Sequence, residues 1–168
     1  MINNDKPKKQ ATLCVFVDKE NERILLGMKK RGFGVGKYNG FGGKVNQGEK
    51  FEEAALREFM EESCLQANLT DLNKVGEFDF YFLHKPEFNQ TVHVYWMDNI
   101  NGEPGETEEM AFKWFSLDEI PYSQMWDDDK YWLPLILKGK KLKASFIFKN
   151  INNENIVAEK NIEEVNNF

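Results

Sequence analysis

The chain has 168 residues, of which 41% are hydrophobic and 14% aromatic, and this length and composition predict one domain with a substantial core. Its net charge of -6 at pH 7 argues against a long nucleic-acid polymer as the ligand, because such binding depends on neutralising many phosphates. The sequence has neither a long apolar run nor a secretory leader pattern, and its two isolated cysteines, Cys14 and Cys64, predict a reduced, intracellular compartment.

The first predicted elements are two strands, a loop and a helix. Residues 11–17 and 22–29 have the composition typical of β-strands. Residues 32–43 hold six of the twelve glycines, which predicts a loop with unusual backbone demands. A helix is predicted over residues 50–63. Its apolar positions recur at helical spacing and are Ala55, Leu56, Phe59 and Met60.

The remaining elements alternate strands with short helices. The predictions are strands over 75–83, 90–97 and 112–115, a loop over 99–109, a helical turn over 117–120, a helix over 132–137, and a hairpin of 145–149 with 156–162 around Asn152 and Asn153. Pro134 fits the second helix only if it lies in the first turn. The asparagine-rich end predicts a loosely ordered terminus. Together these elements predict a single α/β (α+β) domain over residues 11–163, with polar tails over 1–10 and 164–168.

Three acidic residues lie on one face of the first predicted helix. Glu58, Glu61 and Glu62 are spaced i, i+3 and i+4 and project together, opposite Leu56 and Met60. Three like charges at this spacing repel one another, and a divalent cation such as Mg²⁺, which binds carboxylate oxygens, would relieve that repulsion. The alternative is an ordinary solvated acidic face.

The surrounding sequence distinguishes these two interpretations. From Gly43 the chain reads G-K-V-N-Q-G-E-K-F-E-E-A-A-L-R-E-F-M-E-E-S-C-L, which resembles the signature box of the Nudix hydrolase family. The matching positions are Gly43, Glu49, Arg57, Glu58, Phe59, Glu61, Glu62 and Leu65. Cys64 stands where the box has a glycine, a residue that commonly ends a helix in the left-handed conformation. We expect this departure to alter stability rather than chemistry.

The resemblance implies a fold and a catalytic site. The fold would be the Nudix α/β/α sandwich, a mixed sheet flanked by helices. The catalytic residues would be Glu58, Glu61 and Glu62, with Glu62 or a neighbouring carboxylate activating water, and Mg²⁺ would be the cofactor. The metal-binding set would be Gly42, Glu58, Glu61, Glu62 and Glu109. Arg57 would pair with Glu49 and hold the glycine loop against the helix.

The resemblance extends beyond the box, over roughly residues 12–162. Residues 25–45 and 125–135 are similar to the animal MutT homologues within the Nudix family. Those enzymes hydrolyse oxidised purine nucleoside triphosphates, 8-oxo-dGTP and 2-oxo-dATP, to the monophosphate and pyrophosphate. The resemblance therefore implies a monomeric enzyme of the cytoplasmic nucleotide pool, with the nuclear and mitochondrial pools left open. Its partner would be a small nucleotide, with neither a nucleic-acid polymer nor a membrane involved.

The resemblance also implies a set of substrate-binding residues. They are Thr12, Lys29, Asn39, Phe41, Gly42, Gly43, Lys44, Phe80, Met110, Trp126, Asp127, Asp128, Asp129 and Trp132. Within this set, Asn39, Asp128 and Asp129 would read the edge of the base, and Trp126 would stack on its face. Asp127 replaces the proline that this family usually carries, so its charge would act on the pKa values of the neighbouring pair.

The pair Asp128 and Asp129 has a chemical rationale of its own. Two adjacent carboxylates beside an apolar wall do not both ionise easily, so one pKa should rise. A protonated acid donates a hydrogen bond while its ionised neighbour accepts one, and exchanging these roles would let one pocket accept two oxidised purines. The alternative for residues 127–129 is a cluster of helix N-cap residues.

Two other functions remain open from the sequence. One is a Nudix enzyme for another substrate, either a different modified purine triphosphate or a capped RNA end. The other is a catalytically idle domain that senses or carries a nucleotide. The three intact glutamates argue against an idle domain, because a carrier has no need of mutually repelling acids.

Overall fold

The protein, described here by a computed structural model, contains a mixed eight-stranded sheet and two α-helices over residues 5–168. The strands are β1 (Lys9–Asp18), β2 (Arg23–Lys29), β3 (Tyr38–Asn39), β4 (Asn73–Phe82), β5 (Gln90–Met97), β6 (Met110–Ser116), β7 (Lys141–Ile151) and β8 (Glu154–Val165). The helices are α1 (Phe51–Ser63) and α2 (Asp129–Leu137). No helix within residues 5–168 has the length and apolar character needed to cross a bilayer.

The sheet combines parallel and antiparallel neighbours. The strand order is β3-β2-β1-β5-β4-β7-β8, and β6 pairs with β2. Strand β1 runs parallel to β5, and β4 runs parallel to β7, whereas the other pairs are antiparallel. This arrangement confirms the predicted mixed sheet.

Each face of the sheet buries its own hydrophobic core. Alternation along β1 sends Val15 and Val17 to one face and Cys14 and Phe16 to the other. Helix α2 packs on the first face, through Trp132, Leu133 and Ile136. Helix α1 packs on the second face, through Ala55 and Phe59. The two helices therefore lie on opposite sides of the sheet, as the predicted sandwich requires.

Two local predictions near the second helix are wrong. Residues 117–120 form a turn that is not helical. A 3-10 helix, Tyr122–Gln124, lies after Pro121, whereas the predicted helical turn lay before it. Helix α2 begins at Asp129 rather than Trp132, so Pro134 lies in its second turn. At that position Pro134 has no N–H to donate to the carbonyl of the preceding turn.

The C-terminal segment is a long hairpin rather than a loosely ordered end. Strand β8 pairs with β7 from Glu154 to Val165, and the turn residues Asn152 and Asn153 have φ values of 51° and 66°. Asparagine tolerates this left-handed conformation, which two-residue hairpin turns require. At the other end, β1 begins at Lys9, inside the predicted tail, and residues 1–4 of that tail lie outside the described residues.

Candidate active site

On helix α1 the face that carries the three glutamates adjoins the buried face of the helix and does not lie opposite it. Its buried residues are Ala54, Ala55, Phe59 and Ser63, while Leu56 and Met60 are only half-buried, so the predicted apolar face was partly wrong. Glu62 and Phe59 are neighbours on the helix surface. One glutamate is therefore drawn into the protein, and Glu61 stays exposed.

A left-handed residue ends α1, as expected from the sequence. Cys64 has φ 62° and ψ 13°, and its N–H donates to the carbonyl of Met60. Glycine adopts this conformation without strain, whereas a residue with a Cβ costs about 1–2 kcal/mol there. The Cys64 side chain is exposed and lies beside Gly105.

Arg57 binds the acidic face to the loop that precedes the helix. Its Nε and Nη2 lie 2.8 and 3.1 Å from the two carboxylate oxygens of Glu49. Its Nη1 lies 2.8 Å from Oε1 of Glu58, and its Nη2 donates to the carbonyl of Lys44. Hydrogen bonds from Arg57 hold the pKa of Glu49 below its usual range. The predicted pair of Arg57 and Glu49 thus forms, and it fixes the loop against α1.

The loop meets strand β1 and helix α1 at two glycines that leave no room for a side chain. A Cβ on Gly42 would lie 1.8 Å from the carbonyl oxygen of Thr12, and one on Gly43 would lie 2.5 Å from the carboxyl carbon of Glu58. Backbone hydrogen bonds fix this contact, including 2.8 Å from the N–H of Thr12 to the carbonyl of Gly43. Glycine is required at both positions because neighbouring atoms approach the backbone closely, and not because φ is unusual.

Glu62 is half-buried and lies against the glycine loop. Its Oε1 accepts a hydrogen bond from the N–H of Gly42 at 2.8 Å. Burial raises the pKa of Glu62 to about 7, and the charge of Glu58 contributes to the rise although the Gly42 hydrogen bond opposes it. A carboxyl group with a pKa near neutrality is suited to exchanging a proton at physiological pH.

The remaining predicted metal ligands lie around Glu62 without forming a closed cluster. Glu109 pairs with Arg31 at 2.8 Å and is exposed. Within residues 5–168, no three His, Cys, Asp or Glu side chains are arranged as a complete cation site. Even so, the donors are carboxylate oxygens, and Glu62 carries no ion pair with a described side chain. Mutually repelling carboxylates without a full countercharge fit a hard divalent cation.

A cleft of about 450 Å³ joins Glu62 to the aspartate pair, a volume in the usual range for small-molecule sites. The predicted residues that line it are Thr12, Lys29, Asn39, Gly42, Gly43, Lys44, Glu62, Phe80, Met110, Trp126, Asp128, Asp129 and Trp132. The lining residues that the sequence analysis missed include Lys9, Phe33, Lys37, Phe82, Phe88 and Gln90.

Phe41, one of the predicted substrate contacts, does not line the cleft. Its side chain is fully buried in the core beneath α1, where its ring meets that of Phe59 at 5.8 Å. Gly40 and Gly42 line the cleft, and Phe41 between them faces the other side. Alternation along this segment explains the difference.

Asp127 also lies outside the cleft lining. Its Oδ1 pairs with Nζ of Lys130 at 2.8 Å, and its Oδ2 accepts the N–H of Val157 in β8 at 2.8 Å. Although burial opposes them, these hydrogen bonds lower the pKa of Asp127. Asp127 therefore connects the segment before α2 to the C-terminal hairpin.

The aspartate pair is buried at the start of α2, where Asp128 is 4% and Asp129 3% exposed. Oδ2 of Asp128 accepts a hydrogen bond from Nε1 of Trp132 at 2.7 Å. Oδ2 of Asp129 is buried and has no partner among residues 5–168. Burial raises the pKa of Asp128 to about 6. Burial and the charge of Asp128 raise the pKa of Asp129 well above its usual value.

The pair is not a set of helix caps. Asp128 occupies the N-cap position of α2, but its side chain makes no capping hydrogen bond. Instead, the raised pKa of Asp129 favours its protonated form, which has an O–H to donate from a position within the cleft lining. The geometry therefore supports a role for this pair in hydrogen-bonding a ligand.

An aromatic wall borders the aspartate pair. The ring of Trp126 lies 5.1 Å from that of Phe33, which stacks on Phe88 at 4.3 Å. On the loop side, Oδ1 of Asn39 accepts the N–H of Gly40 at 2.9 Å. The side-chain nitrogen of Asn39 bonds to no described residue and is available to a ligand.

Histidine takes no part in this cleft. His93 lies on the α1 side of the sheet, where it stacks on Phe51 at 3.8 Å and its Nε2 lies 2.7 Å from Oε1 of Gln10. Burial lowers its pKa to about 4, so it is neutral at physiological pH. His93 therefore has a structural role.

Comparison with known proteins gives a consistent identification of the domain. The model of the NUDIX domain matches residues 7–136. The chain is 46% identical over 147 residues to the oxidized purine nucleoside triphosphate hydrolase of Mus musculus, covering 88% of this chain and 90% of the mouse protein. It is 47% identical over 157 residues to the protein of the same name from Danio rerio, covering 94% and 96% of the two chains.

A solved structure shares the fold at much lower sequence identity. The crystal structure of a MutT protein from Bacillus halodurans superimposes with a TM-score of 0.71 at 18% identity, covering 92% of this chain and 97% of that one. At this identity the likeness concerns the fold alone.

Proposed function

This chain belongs to the Nudix family, and we propose that it hydrolyses oxidised purine nucleoside triphosphates such as 8-oxo-dGTP and 2-oxo-dATP. The products are the nucleoside monophosphate and pyrophosphate, so the activity removes oxidised precursors from the nucleotide pool. Both relatives at 46% and 47% identity carry this substrate class in their names. The observation that carries the proposal is that the buried pair Asp128 and Asp129 shares one cleft with Glu62.

The cleft lining combines two chemically different sets of groups, which would orient the substrate. Trp126, Trp132 and the aspartate pair offer an aromatic wall with hydrogen-bonding groups, which suits a purine base. Lys29 and Lys44 line the same cleft as Glu62 and supply positive charge for a triphosphate. The base therefore lies beside the aspartate pair, and the phosphates lie over the glycine loop.

The aspartate pair supplies the selectivity for oxidised bases. Protonated Asp129 donates a hydrogen bond, while Asp128 with a pKa of about 6 is ionised at neutral pH and accepts one. Because the two carboxyl groups are coupled, a ligand that donates to one and accepts from the other can determine which of them carries the proton. The same pocket then accommodates two purines whose donors and acceptors are exchanged.

The proposed cofactor is Mg²⁺, held by Glu58 and Glu62, with Glu61, Glu109 and the carbonyl of Gly42 in support. When bound, this ion supplies positive charge to the phosphate oxygens and lowers the pKa of water. Arg57 keeps Glu58 in place through its 2.8 Å contact. Glu62 holds or releases a proton near neutral pH, because burial raises its pKa to about 7.

Product analysis with Glu62→Gln tests both the chemistry and the specificity. The wild-type protein with Mg²⁺ should release monophosphate and pyrophosphate faster from 8-oxo-dGTP and 2-oxo-dATP than from dGTP and dATP. Glu62→Gln should lower turnover roughly 10²–10⁴-fold, the usual contribution of a general base. Glu154→Gln, at the exposed tip of the β7–β8 hairpin, is the matched control and should retain wild-type rates.

Three other outcomes would contradict parts of the proposal. Equal rates on all four nucleotides would remove the argument for base reading. Wild-type turnover in Glu62→Gln would remove the catalytic assignment. Binding without any cleavage would identify a nucleotide carrier.

We further propose that the protein acts as a monomer in the cytoplasm. Its substrate is a small diffusible nucleotide, which requires no second subunit, membrane or nucleic-acid polymer. Size-exclusion chromatography with light scattering would test the monomer, and cell fractionation would test the location.

A further inference from the structure

Gln90 is placed toward the cleft by the register of the sheet. It is the first residue of β5, and its Cα pairs with Lys9 of β1 on one side and Phe80 of β4 on the other. Side chains two apart along a strand share a face, so Gln90 lies on the same face as Val92 and Val94. Both valines belong to the core that packs against α2.

The side-chain amide of Gln90 has a hydrogen-bond donor and an acceptor that no described residue pairs with. Gln90 is half-buried and lines the same cleft as Asn39 and the aspartate pair. Its side chain forms no hydrogen bond with another part of residues 5–168. By contrast, the amide oxygen of the neighbouring Gln10 is engaged by His93 at 2.7 Å.

The surroundings of this amide are mostly apolar. Phe80, the partner of Gln90 on β4, lines the cleft, as do Phe82, Phe88 and Val92. Lys9, the partner of Gln90 on β1, is the charged exception. A base that fills the cleft removes water from the Gln90 amide, and an amide left unpaired there opposes binding. Tight binding therefore requires that the base itself hydrogen-bond to Gln90.

We propose that Gln90 is a specificity-determining residue whose side-chain amide hydrogen-bonds the purine base, alongside Asn39 and the aspartate pair. The inference deepens the proposed function and rests on it. An amide offers one donor and one acceptor side by side. The N7–H and O6 of 8-oxoguanine offer the complementary pair, whereas N7 and O6 of guanine are both acceptors. Gln90 therefore favours the oxidised guanine over the normal one.

Equilibrium binding of nucleoside monophosphates tests this role without depending on hydrolysis. Isothermal titration calorimetry would give Kd for 8-oxo-dGMP and dGMP with the wild-type protein and with Gln90→Met, which keeps the length of the side chain but removes the amide. The ratio of Kd for dGMP to Kd for 8-oxo-dGMP should fall about tenfold, the effect of one lost hydrogen bond in a desolvated site. Gln66→Met, an exposed position in the loop after α1, should leave the ratio unchanged.

A second variant separates the donor from the acceptor and guards against a folding defect. Gln90→Glu retains the acceptor for N7–H but loses the donor to O6, which is an acceptor in both bases, so both affinities should fall while the Kd ratio stays close to that of the wild type. A ratio within twofold of wild type in Gln90→Met, or a ratio in Gln90→Glu as low as that in Gln90→Met, would overturn the inference.

The inference and the proposed function can fail separately. If the wild type hydrolyses oxidised triphosphates preferentially but Gln90→Met keeps the wild-type Kd ratio, the inference alone is wrong. If the wild type shows no preference in turnover, the proposed function is wrong. The role of Gln90 is then decided by whether Gln90→Met changes the relative Kd values of dAMP, dGMP and dCMP, and unchanged values would refute it.

Discussion

At the scale of single residues, burial gives identical side chains different chemistry. Asp127, Asp128 and Asp129 are consecutive, yet hydrogen bonds from Lys130 and Val157 lower the pKa of the first, while burial raises those of the other two. Glu58 and Glu62 also differ in their surroundings, because Glu58 pairs with Arg57 at 2.8 Å, whereas Glu62 has no ion pair with a described side chain and burial raises its pKa. The sequence shows only which acids are adjacent.

The raised pKa values of the buried aspartates predict that the free energy of unfolding falls as the pH rises. A buried acid that stays protonated in the folded state lowers the free energy of unfolding once the pH exceeds its unfolded pKa of about 4. The loss grows by about 1.4 kcal/mol for each pH unit until the folded pKa is reached. Asp129→Asn removes this cost at one position. The gain in the free energy of unfolding from Asp129→Asn should therefore be larger at pH 8 than at pH 4.5.

Urea unfolding at a series of pH values measures this dependence. Asp118→Asn, at an exposed turn, provides the comparison, and the difference between the two variants should grow from pH 4.5 to pH 8. A gain from Asp129→Asn that does not change with pH would show that Asp129 is ionised in the folded protein.

At the scale of elements, short contacts at the ends of helices place the catalytic groups. Helix α1 is fixed at its start by the hydrogen bond from the N–H of Lys50 to Glu53 and by the Arg57 network. At its end the chain leaves through Cys64, in the left-handed conformation. Helix α2 is fixed before its first turn by the bond between Asp127 and Val157.

Cys64→Gly should stabilise the protein by about 1 kcal/mol, because glycine relieves the left-handed strain while losing some of that gain to its freedom in the unfolded chain. Turnover should be unaffected, since Cys64 is exposed and lies outside the cleft lining. Cys64→Ala keeps the Cβ and should not stabilise. Urea denaturation measures both, and equal effects would attribute the change to the thiol rather than to the backbone.

Asp127→Ala should loosen the segment that carries Trp126 and Asp128. Loss of the charged acceptor for Val157 should cost roughly 1–3 kcal/mol, speed hydrogen exchange at the Val157 amide and weaken nucleotide binding. Asp127→Asn keeps an oxygen acceptor and loses only the pair with Lys130, so it should resemble the wild type. Unchanged exchange at Val157 in Asp127→Ala would refute the connection.

At the scale of the whole molecule, a single sheet lies between two hydrophobic cores and contributes buried residues to both. The fold subdivides into an α1 side, which holds the proposed catalytic face, and an α2 side, which holds the aspartate pair, and the cleft connects them. Because β1 and β2 contribute buried residues to both sides, neither core can form without the sheet. We therefore expect both sides to unfold together.

Phe59→Ala on the α1 side and Phe146→Ala on the α2 side should each destabilise the protein by about 3–5 kcal/mol. Both side chains are fully buried, whereas Phe168→Ala, at an exposed position, should have little effect. In each variant, far-ultraviolet circular dichroism and tryptophan fluorescence should report one shared transition. Separate midpoints would show two independent units.

The sequence predicted the parts of the protein that local patterns determine. The i, i+3, i+4 spacing located Glu58, Glu61 and Glu62 on one helix face, and the paired asparagines located the hairpin turn. The family resemblance added Asn39, Trp126 and the aspartates, all of which line the cleft except Asp127. Strand alternation along 90–94 could have placed Gln90 on the core side as well.

The missed features depend on contacts between distant segments. Asp127 is displaced from the cleft by Val157, thirty residues later in the chain, and a local motif cannot contain that partner. Phe41 faces the α1 core because the glycine loop docks on β1, which only the tertiary structure shows. Lys9 and Phe88 both line the cleft, and Lys9 donates to the carbonyl of Glu87, a partner 78 residues away in the chain.

The strand order has a consequence for how the chain must assemble during synthesis. Strand β1 pairs with β5, and β4 with β7, across long stretches of intervening sequence. At the usual ribosomal rate of about 5–20 residues per second, β1 waits roughly 4–16 s for β5 to emerge. During that interval, apolar strand edges are open to intermolecular pairing. A chain ending at residue 136, where the match to the NUDIX model stops, would leave β4 without its parallel neighbour permanently.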